Sequence, residues 1–535
     1  MKRPLALFGA VAATVSLAAC GADTAGGESA GPPQPGGTLR YGLSQPPTCS
    51  DPAQSGTNQT LYVTRQIVDS LVDQDPASGE IRPWLADSWT VAPDARGFTF
   101  HLREGIIFSD GTPLTAESVR RNFDAIVHTV GAAKAPLAAS YLAGYTGTTV
   151  VDPRTARVEF ATPNAQFLQA ASTPQLGILS DADTAKSADD RCLGTNIGSG
   201  PFTYAEYRQG ASATLAKRTG YRWGSAVFAN HGDAYLDRIA FTVIPESGVR
   251  TGSLSSGQLD AVSDALAQDV PQIEAAGGKV LFYANPGLPF GLQPNVNRGP
   301  LRDAAVRAAL RTAIDRKELV DTVLGPQFKT GTSALASTTP GYVDQSGQLG
   351  YDPDAAKRAL DTAGWAPGPD GIRVKDGQRL SFGVMFSAVF AGNQAILELV
   401  QQQVRKVGIE LRLEPVPQNE ATARQNTRDF DSTYYNLTRA DGDILRTTFG
   451  LDQRNLNGRG PIPQLDQVLS SELAATDAAE RAKLIGQAQR QVLDEGLWIP
   501  TIELSQSIGA ANSVADVKFE ASGRLQFHDT WLRGR

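Results

Sequence analysis

The sequence is poor in the residues that most often build metal and redox sites. Its 535 residues include only 3 Cys, 4 His and 2 Met. The histidines are scattered and the cysteines are too few for the spaced ligand sets of zinc sites, so no metal and no cofactor is expected. A His-Glu-x-x-His segment is missing, and the sole Gly-x-Ser-x-Gly match, at residues 27–31, lies in a Gly- and Pro-rich stretch instead of at a strand-to-helix turn. The most recognisable signatures of exported hydrolases are therefore not met.

The chain also lacks a basic stripe, and its only long apolar run is at the N-terminus. The net charge of −7 and the isoelectric point near 5.4 argue against a protein that binds nucleic acid. With 41% hydrophobic residues, the chain is too apolar to be disordered. At roughly 150 residues per domain, its length predicts about three to four structural units.

The N-terminal run has the form of a secretion signal. Residues 1–3 are Met-Lys-Arg, residues 4–19 are uncharged and mostly apolar, and the run ends in Leu-Ala-Ala-Cys at residues 17–20. This ending resembles the lipobox of bacterial lipoproteins. The resemblance implies that residues 1–20 are a lipoprotein signal peptide and that acylated Cys20 anchors the protein to the outer face of the bacterial cell membrane. An ordinary signal peptide with an incidental cysteine is the alternative.

The segment after Cys20 is expected to be a tether. Residues 21–37 contain no large apolar side chain and are rich in Gly and Pro, as in a flexible linker. Two cysteines remain, Cys49 and Cys192. Because thiols outside the cytoplasm tend to pair, we predict a disulfide between them, with two buried free thiols as the alternative.

Hydrophobic periodicity indicates a chain of mixed strands and helices. Apolar residues alternate over 98–102, which predicts a strand, and Thr115 is a candidate N-cap for a helix that continues to residue 130. A single helix is predicted from 306 to 324, ending at Gly325. Strand 381–386, a helix over 396–407 and strand 409–413 form a predicted βαβ unit with parallel strands. A strand over 430–438, a helix over 477–494 and a strand over 498–502 follow.

Five sequence motifs carry a family resemblance. In order they are PWLADSW at 83–89 with FTFHLREG at 98–105, FSDGTPLTA at 108–116, GSGPF at 198–202, AVRAAL with AIDR between 305 and 316, and YDPDAAK with AGW between 351 and 365. Together they resemble the family 5 extracellular solute-binding proteins, the peptide and nickel receptors of bacterial ABC importers. The resemblance extends over roughly residues 38 to 532.

The resemblance implies an α/β fold of the two-lobed periplasmic-binding-protein type II kind. Lobe I is expected to comprise residues 38–283, with an extra β-rich subdomain at about 76–195. Lobe II is expected over 284–503, and residues 504–535 return to lobe I. The two points where the chain passes between lobes are then the crossing strands of a hinge.

The resemblance also implies a ligand-binding loop after the strand over 430–438. Peptide-binding members place an Asp here against the ligand's α-ammonium group, which implies this role for Asp441, with Asp443 as the alternative. A zwitterion that enters a dry cleft needs such a carboxylate. Tyr434 and Tyr435, on the preceding strand, are further candidates. This sequence departs from the family pattern at Leu437 and Gly442, and a solvated acidic turn is the alternative.

Two arginines flank those carboxylates. Arg439 and Arg446 are each candidates for a bidentate contact with a ligand carboxylate. The alternative is that each arginine only neutralises a neighbouring Asp.

The implied function is that of a monomeric receptor that captures peptides and delivers them to an ABC permease and its ATPase, without catalysis or nucleic acid. The same scaffold could instead hold a nickel chelate or a metallophore, since the motifs also resemble the nickel receptors. A third hypothesis is an exported enzyme or a cell-surface interaction protein.

Overall fold

The structure is a computed structural model that describes residues 32–387, 390 and 392–534. Cys20 and the predicted signal peptide lie outside the described residues. In chain order the strands are β1 (Thr38–Leu43), β2 (Val72–Gln74), β3 (Ile81–Pro83), β4 (Ala86–Val91), β5 (Gly97–Leu102), β6 (Tyr145–Asp152), β7 (Thr155–Phe160), β8 (Phe202–Arg208), β9 (Ser212–Lys217), β10 (Arg238–Val243), β11 (Ala261–Ser263), β12 (Lys279–Ala284), β13 (Gly287–Pro294), β14 (Lys329–Thr330), β15 (Ala366–Pro367), β16 (Arg373–Lys375), β17 (Gln378–Arg379), β18 (Ser381–Phe386), β19 (Glu410–Pro415), β20 (Ser432–Thr438), β21 (Ile499–Glu503), β22 (Ser505–Ala510), β23 (Val514–Ala515), β24 (Lys518–Phe519), β25 (Leu525–Gln526) and β26 (Trp531–Leu532). The helices are α1 (Asn58–Thr64), α2 (Ala116–Asp124), α3 (Gly131–Lys134), α4 (Pro136–Tyr141), α5 (Phe167–Ala170), α6 (Asp181–Thr184), α7 (Ser247–Ser255), α8 (Val270–Ala275), α9 (Ala304–Ala313), α10 (Arg316–Leu319), α11 (Pro353–Thr362), α12 (Asn393–Arg405), α13 (Gln418–Thr427), α14 (Ile444–Phe449), α15 (Pro463–Ala474) and α16 (Ala478–Asp494).

The first large sheet has seven strands in the order β12-β22-β11-β1-β10-β9-β8. Its central strand, β1, runs parallel to both neighbours, β10 and β11. Leu39, Tyr41 and Leu43 of β1 are fully buried, whereas Thr38 and Arg40 are only half-buried, so the strand points these alternate side chains into the core. This sheet is the framework of lobe I.

The second large sheet has six strands in the order β14-β21-β13-β20-β18-β19. β18 runs parallel to both β19 and β20, and α12 connects β18 to β19. This arrangement confirms the predicted βαβ unit. Phe382, Val384 and Phe386 of β18 are buried, together with Met385 on the opposite face. Such burial on both faces is usual for the inner strands of a parallel sheet.

The chain passes between the two sheets at two places that lie side by side. It leaves the first sheet after β12 and enters the second at β13, through residues 285–286, and it returns from β21 to β22 through Leu504. The backbone N of Asn285 donates to the carbonyl of Leu504 at 2.8 Å. The Gln506 side chain donates to Asn285 Oδ1 at 2.9 Å. These hydrogen bonds tie the two crossing segments together.

A four-stranded antiparallel sheet, β4-β5-β7-β6, forms the extra subdomain. Its core is rich in phenylalanine because the buried residues of β5 and β7 meet side chains from α2 and α5. The ring of Phe167 lies 5.0 Å from that of Phe98 and 4.8 Å from that of Phe160, both in edge-to-face arrangements. Edge-to-face rings pack favourably, so this cluster fixes α5 on the sheet.

Two predicted helices can be compared directly with the structure. A helix follows Thr115 as expected, with the Thr115 and Ser118 side chains forming a capping box. The single helix predicted over 306–324 is wrong, since α9 ends at Ala313 and a second helix begins at α10. The Asp315 carboxylate caps α10 by accepting from the backbone N of Glu318 at 3.0 Å, and an internal cap of this kind starts a new helix.

Glycines allow one backbone to lie directly against another near Ile67. A Cβ on Gly198 would lie 1.8 Å from the carbonyl O of Ile67, and one on Gly200 would lie 2.5 Å from its carbonyl carbon. No side chain fits at either position. The Gly-Ser-Gly-Pro motif therefore has a packing role, next to the segment that leads into β2.

The structure joins Cys49 and Cys192 by a disulfide whose Cα atoms are 4.4 Å apart. A buried ion pair lies beside it, where Arg191 Nε contacts Asp51 Oδ2 at 2.7 Å. The disulfide closes 143 residues of sequence. Together these contacts fasten the segment before α1 to the end of the region that carries the subdomain.

Candidate functional site at the interface of the lobes

The predicted ligand loop, residues 439–443, lies where the two lobes meet. It follows β20, whose neighbours in the sheet are β13 and β18, and loops at the carboxyl ends of such strands line ligand crevices. The crossing segment packs directly on this loop. The backbone N of Arg439 donates to the carbonyl of Pro286 at 3.2 Å, and a Cβ on Gly287 would lie 2.2 Å from the carbonyl O of Leu437.

Asp441 is held by an arginine from α16. Its side chain is buried, and Arg481 donates to it twice, from Nη1 to Oδ2 at 2.8 Å and from Nη2 to Oδ1 at 2.6 Å. The backbone N of Asp443 donates to Oδ1 at 2.7 Å. Arg481 also reaches Glu472 of α15 at 3.0 Å. Both oxygens of Asp441 are thus engaged within the protein, and a ligand ammonium group would have to displace Arg481.

Asp443 is fully buried and contacts both flanking arginines. Arg439 Nη1 donates to its Oδ2 at 3.0 Å, while Arg446 Nε donates to its Oδ1 at 2.6 Å. In this structure both arginines therefore neutralise Asp443, and neither is free of that pairing. Of the two, Arg439 is 2% exposed, and the Arg446 side chain retains 15% exposure.

The cluster brings three guanidinium groups together with three carboxyl groups, those of Asp441, Asp443 and Glu472. Burial favours protonation of Asp441, but the charge and hydrogen bonds of Arg481 outweigh burial and lower its pKa below the usual value. For Glu472, burial and the nearby charge of Asp443 raise the pKa well above its usual value. The two acids that share Arg481 therefore have pKa values shifted in opposite directions.

The two predicted tyrosines lie on opposite faces of β20. Tyr434 is buried, stacks on Phe290 at 5.3 Å and shares a hydrogen bond of 2.9 Å with Thr501. Tyr435 is half-buried and meets the edge of Trp498 at 5.2 Å. Tyr434 thus lies in the core of lobe II, while Tyr435 packs against the core on the other side of the same sheet.

Lobe I contacts both the loop and the nearby helix α15. The guanidinium of Arg439 lies 4.6 Å above the ring of Tyr141, a cation–π contact. Gln74 Nε2 donates to the carbonyl of Ala440 at 3.1 Å. Nearby, the backbone N of Ala165 donates to the carbonyl of Leu473 at 2.9 Å. Side chains from both lobes therefore enclose the loop.

A groove of about 600 Å³ opens beside these contacts. Residues 140–144 and 162–164 of the subdomain form one wall, and residues 446–453 and 466–473 of lobe II form the other. A volume of this size is within the range of small-molecule sites. Arg446 is the cluster member that lines the groove, so its guanidinium borders this space.

Sequence reasoning found the loop but missed the residues that complete its charge balance. Glu472 and Arg481 lie on α15 and α16, downstream of the loop in sequence. Both are charged residues on amphipathic helices, where charges are usually exposed, and no motif marks them. Only the packing of α15 against α16 brings them to Asp441.

Two further observations bear on function. None of the helices in the part of the chain that the structure describes has the length and apolarity needed to span a membrane. The described residues also bring together no group of three His, Cys, Asp or Glu side chains that could hold a metal ion.

The fold and the interlobe groove define a class of protein. Two α/β lobes joined by crossing strands, with a subdomain on the first, form the type II periplasmic-binding-protein fold. A nonapeptide complex of the oligopeptide-binding protein AppA from Bacillus subtilis matches with a TM-score of 0.75 at 20% identity, covering 94% of this chain and 100% of that one.

The sequence then identifies the family. The model of the bacterial extracellular solute-binding proteins, family 5 Middle, matches residues 80–449, and the chain belongs to this family. It is 24% identical to the nickel-binding periplasmic protein of Escherichia coli over 492 residues, covering 86% of this chain and 89% of that protein. It is 25% identical to the probable D,D-dipeptide-binding periplasmic protein DdpA of Escherichia coli over 476 residues, covering 86% and 87%. The chain is a solute-binding protein rather than an enzyme.

Proposed function

We propose that the protein is the receptor of an ABC importer that captures peptides between its lobes and presents them to a membrane permease. The observation that carries this proposal is the groove of about 600 Å³ between the subdomain and lobe II, in a chain of the solute-binding family. The relatives named for a dipeptide and for a nonapeptide complex favour peptides as the ligand.

Hinge closure is the proposed mechanism. We place lobe I at residues 38–283, its subdomain at about 76–195, lobe II at 284–503, and the return to lobe I at 504–535. The two crossing segments, 285–286 and Leu504, are short and adjacent, so small backbone rotations there would move one lobe against the other. A ligand that touches both walls of the groove would stabilise the closed state, which docks on the permease.

Arg446 is the proposed contact for a ligand carboxylate. It lines the groove, and its partner Asp443 also has Arg439, so Arg446 can turn toward a ligand while Asp443 stays paired. A guanidinium presents two parallel donors that match a carboxylate. For Asp441, a role as the ammonium contact requires that Arg481 move away first.

A nickel chelate or metallophore is the second candidate ligand. The nickel-binding relative favours it, and a chelate brings its own metal ligands. The absence of a metal-binding group among the described residues therefore bears on a bare ion only.

The anchor is proposed to be lipid on Cys20, joined to the folded lobes by the tether over 21–37. A Cys20→Ser variant is expected to leave the membrane fraction, since no acyl chain then holds it. Recovery of that variant in the membrane fraction, at the level of the unaltered protein, would oppose the proposal.

Thermal unfolding with a ligand panel tests the function. The purified protein is heated alone, with di-, tri- and pentapeptides, with Ni²⁺, and with Ni²⁺ chelated by histidine. A ligand at about 100 times its Kd adds roughly 2.7 kcal/mol of stability, enough to raise the Tm visibly. A rise with one length class of peptide is expected, and it should shrink in Arg446→Gln. The exposed Arg298, paired with Asp429, provides the control variant Arg298→Gln.

The other outcomes of the panel are also decisive. A Tm rise with the chelate alone would replace peptides by a chelate as the ligand. No rise with any peptide or with the chelate would oppose the receptor proposal in both forms.

A further inference from the structure

A small chamber that shares no lining residue with the groove lies next to the lobe boundary. It is lined by Asp73 and Gln74 of β2, by Gln169 of α5 with Ser172 and Thr173 just beyond that helix, and by the turn over 520–522. The volume open to the centre of a water-sized sphere is about 10 Å³, which corresponds to a single water-sized group. Three segments that are distant in sequence meet here.

Asp73 is a buried carboxylate without a direct ion-pair partner among the described residues. It is 6% exposed, and its oxygens accept from the backbone N of Gln74 at 2.8 Å and from Ser225 Oγ at 2.5 Å. Among the described residues it forms no ion pair. Burial raises the pKa of Asp73 to about 6, although the charge of Arg65 acts in the opposite direction.

The charge of Arg65 acts on Asp73, but the donors of Arg65 are engaged elsewhere. Its Nε contacts Glu520 at 2.9 Å, Nη1 donates to Ser70 at 2.8 Å, and Nη2 donates to the carbonyl of Ser172 at 3.0 Å. Arg65 therefore pairs directly with Glu520, while its charge lowers the pKa of Asp73 without offsetting the effect of burial.

Two amide oxygens beside the chamber also lack partners. Gln74 and Gln169 are each 4% exposed, and the Oε1 atom of each is buried without a hydrogen bond. The orientation of the Gln74 amide is fixed, because its Nε2 donates to the carbonyls of Gly79 at 3.2 Å and Ala440 at 3.1 Å. Its oxygen is thus an acceptor that still needs a donor, and leaving such an atom unpaired is costly.

The hydroxyl groups around the chamber have their protons engaged. Ser172 Oγ donates to the carbonyl of Gln169 at 2.7 Å, Thr173 Oγ1 to the carbonyl of Ala170 at 2.7 Å, and Ser522 Oγ to Glu520 Oε1 at 2.7 Å. The groups that remain to bind an occupant of the chamber are the Asp73 carboxylate and a set of acceptor oxygens. A water molecule offers two donors and no charge, whereas an ammonium group offers three donors and the missing positive charge.

We infer that this chamber is a binding site for an ammonium group. The group is either the amino group of the captured ligand, in which case the inference rests on the proposed function, or a free ammonium-sized cation. Through Gln74 the chamber touches Ala440, so its occupant lies beside the ligand loop of lobe II.

The first arm of the test uses salt alone. The Tm of the purified protein is measured in ammonium chloride and in choline chloride of equal concentration, because choline is too large for the chamber. If a free cation is the guest, ammonium should raise the Tm of the unaltered protein and have no such effect in Asp73→Asn. Asp69→Asn is the matched control, since Asp69 is also buried with a pKa raised to about 6 but does not line the chamber.

The second arm uses the peptide class that binds best, with a free or an acetylated N-terminus. If the ligand's amino group is the guest, Asp73→Asn should weaken binding of the free-amine peptide at least tenfold and leave the acetylated peptide unchanged. Gln169→Met is a second variant whose folding is not at risk, because its side-chain oxygen has no partner to lose. It should weaken the same interaction to a smaller degree.

Each outcome has one meaning. An effect in the salt arm supports the chamber with a free cation as the guest, and an effect in the peptide arm supports it with the ligand's amine. If both variants match the unaltered protein in both arms, the chamber holds only water and the inference is overturned. If no peptide binds at all, the proposed function fails, and the salt arm still decides the question of the chamber.

Discussion

Asp441 illustrates how far a residue's neighbours decide its role. Its sequence context suggests a free carboxylate, and its position after β20 does bring it to the lobe interface. The carboxylate nevertheless meets Arg481 through two short hydrogen bonds. A buried charge of this kind is stabilised chiefly by its partner, and removal of the partner leaves an uncompensated ion.

We predict that Asp441→Ala destabilises the protein. Breaking a buried ion pair costs roughly 3–5 kcal/mol, and we expect about 3 kcal/mol because Glu472 remains within 3.0 Å of Arg481. The free energy of unfolding in urea measures this loss. The control variant is Lys483→Ala on α16, the helix that carries Arg481. It removes an exposed pair with Glu480 and should cost less than about 1 kcal/mol. Equal effects of the two substitutions would contradict the buried pairing.

The free energy of unfolding should depend on pH through the buried carboxyl group of Asp69. Burial raises the pKa of Asp69 from 3.8 to about 6. Its protonated form therefore contributes stability that is fully present below about pH 4 and is lost as the pH rises through 6. Relative to the unaltered protein, Asp69→Asn should gain roughly 2 kcal/mol between pH 4 and pH 7.

Urea unfolding at several pH values checks this slope. Asp75 supplies a control of opposite sign, because hydrogen bonds from Ser78 hold its pKa below the usual value. Its contribution is present at neutral pH and is lost in acid, so Asp75→Asn should lose stability relative to the unaltered protein as the pH rises. A flat difference for Asp69→Asn would show that this carboxylate titrates normally in the folded state.

At the scale of elements, periodicity predicted the βαβ unit well because β18, α12 and β19 are continuous and buried. It failed over 306–324, where the apolar spacing continues through the break. The signal for the break was Asp315, a capping residue inside an apparently helical run. For the candidate site, sequence located the loop over 439–443 but could not supply its partners, because α15 and α16 reach it only through tertiary packing.

The crossing segment is the element on which lobe geometry depends most. Gly287 has φ +106° and lies so close to β20 that a Cβ would be 2.2 Å from the carbonyl of Leu437. We predict that Gly287→Ala costs at least about 2 kcal/mol. Alanine is strained at this positive φ, and its Cβ would also collide with the carbonyl of Leu437. Urea unfolding again provides the measurement. Gly252 in α7 has free space around its Cα, so Gly252→Ala should instead stabilise by about 0.5–1 kcal/mol. A neutral Gly287→Ala would mean that the crossing segment tolerates displacement.

At the scale of the whole molecule, two sheets, a subdomain and two adjacent crossings form a receptor whose walls come from both lobes. The disulfide between Cys49 and Cys192 fastens lobe I internally, and the proposed hinge lies at the crossings. The cluster around Arg439 joins the lobes through Tyr141, and Arg446 of the same cluster lines the groove. In the proposed mechanism, closure and ligand contact therefore involve the same cluster.

Hydrogen–deuterium exchange with and without a bound peptide tests the central claim, capture between the lobes, most directly. We predict slower exchange in both walls of the groove at once, residues 140–144 and 162–164 on one side and residues 446–453 on the other. Protection confined to one wall, or to a surface outside the groove, would contradict the claim that peptides are captured between the lobes.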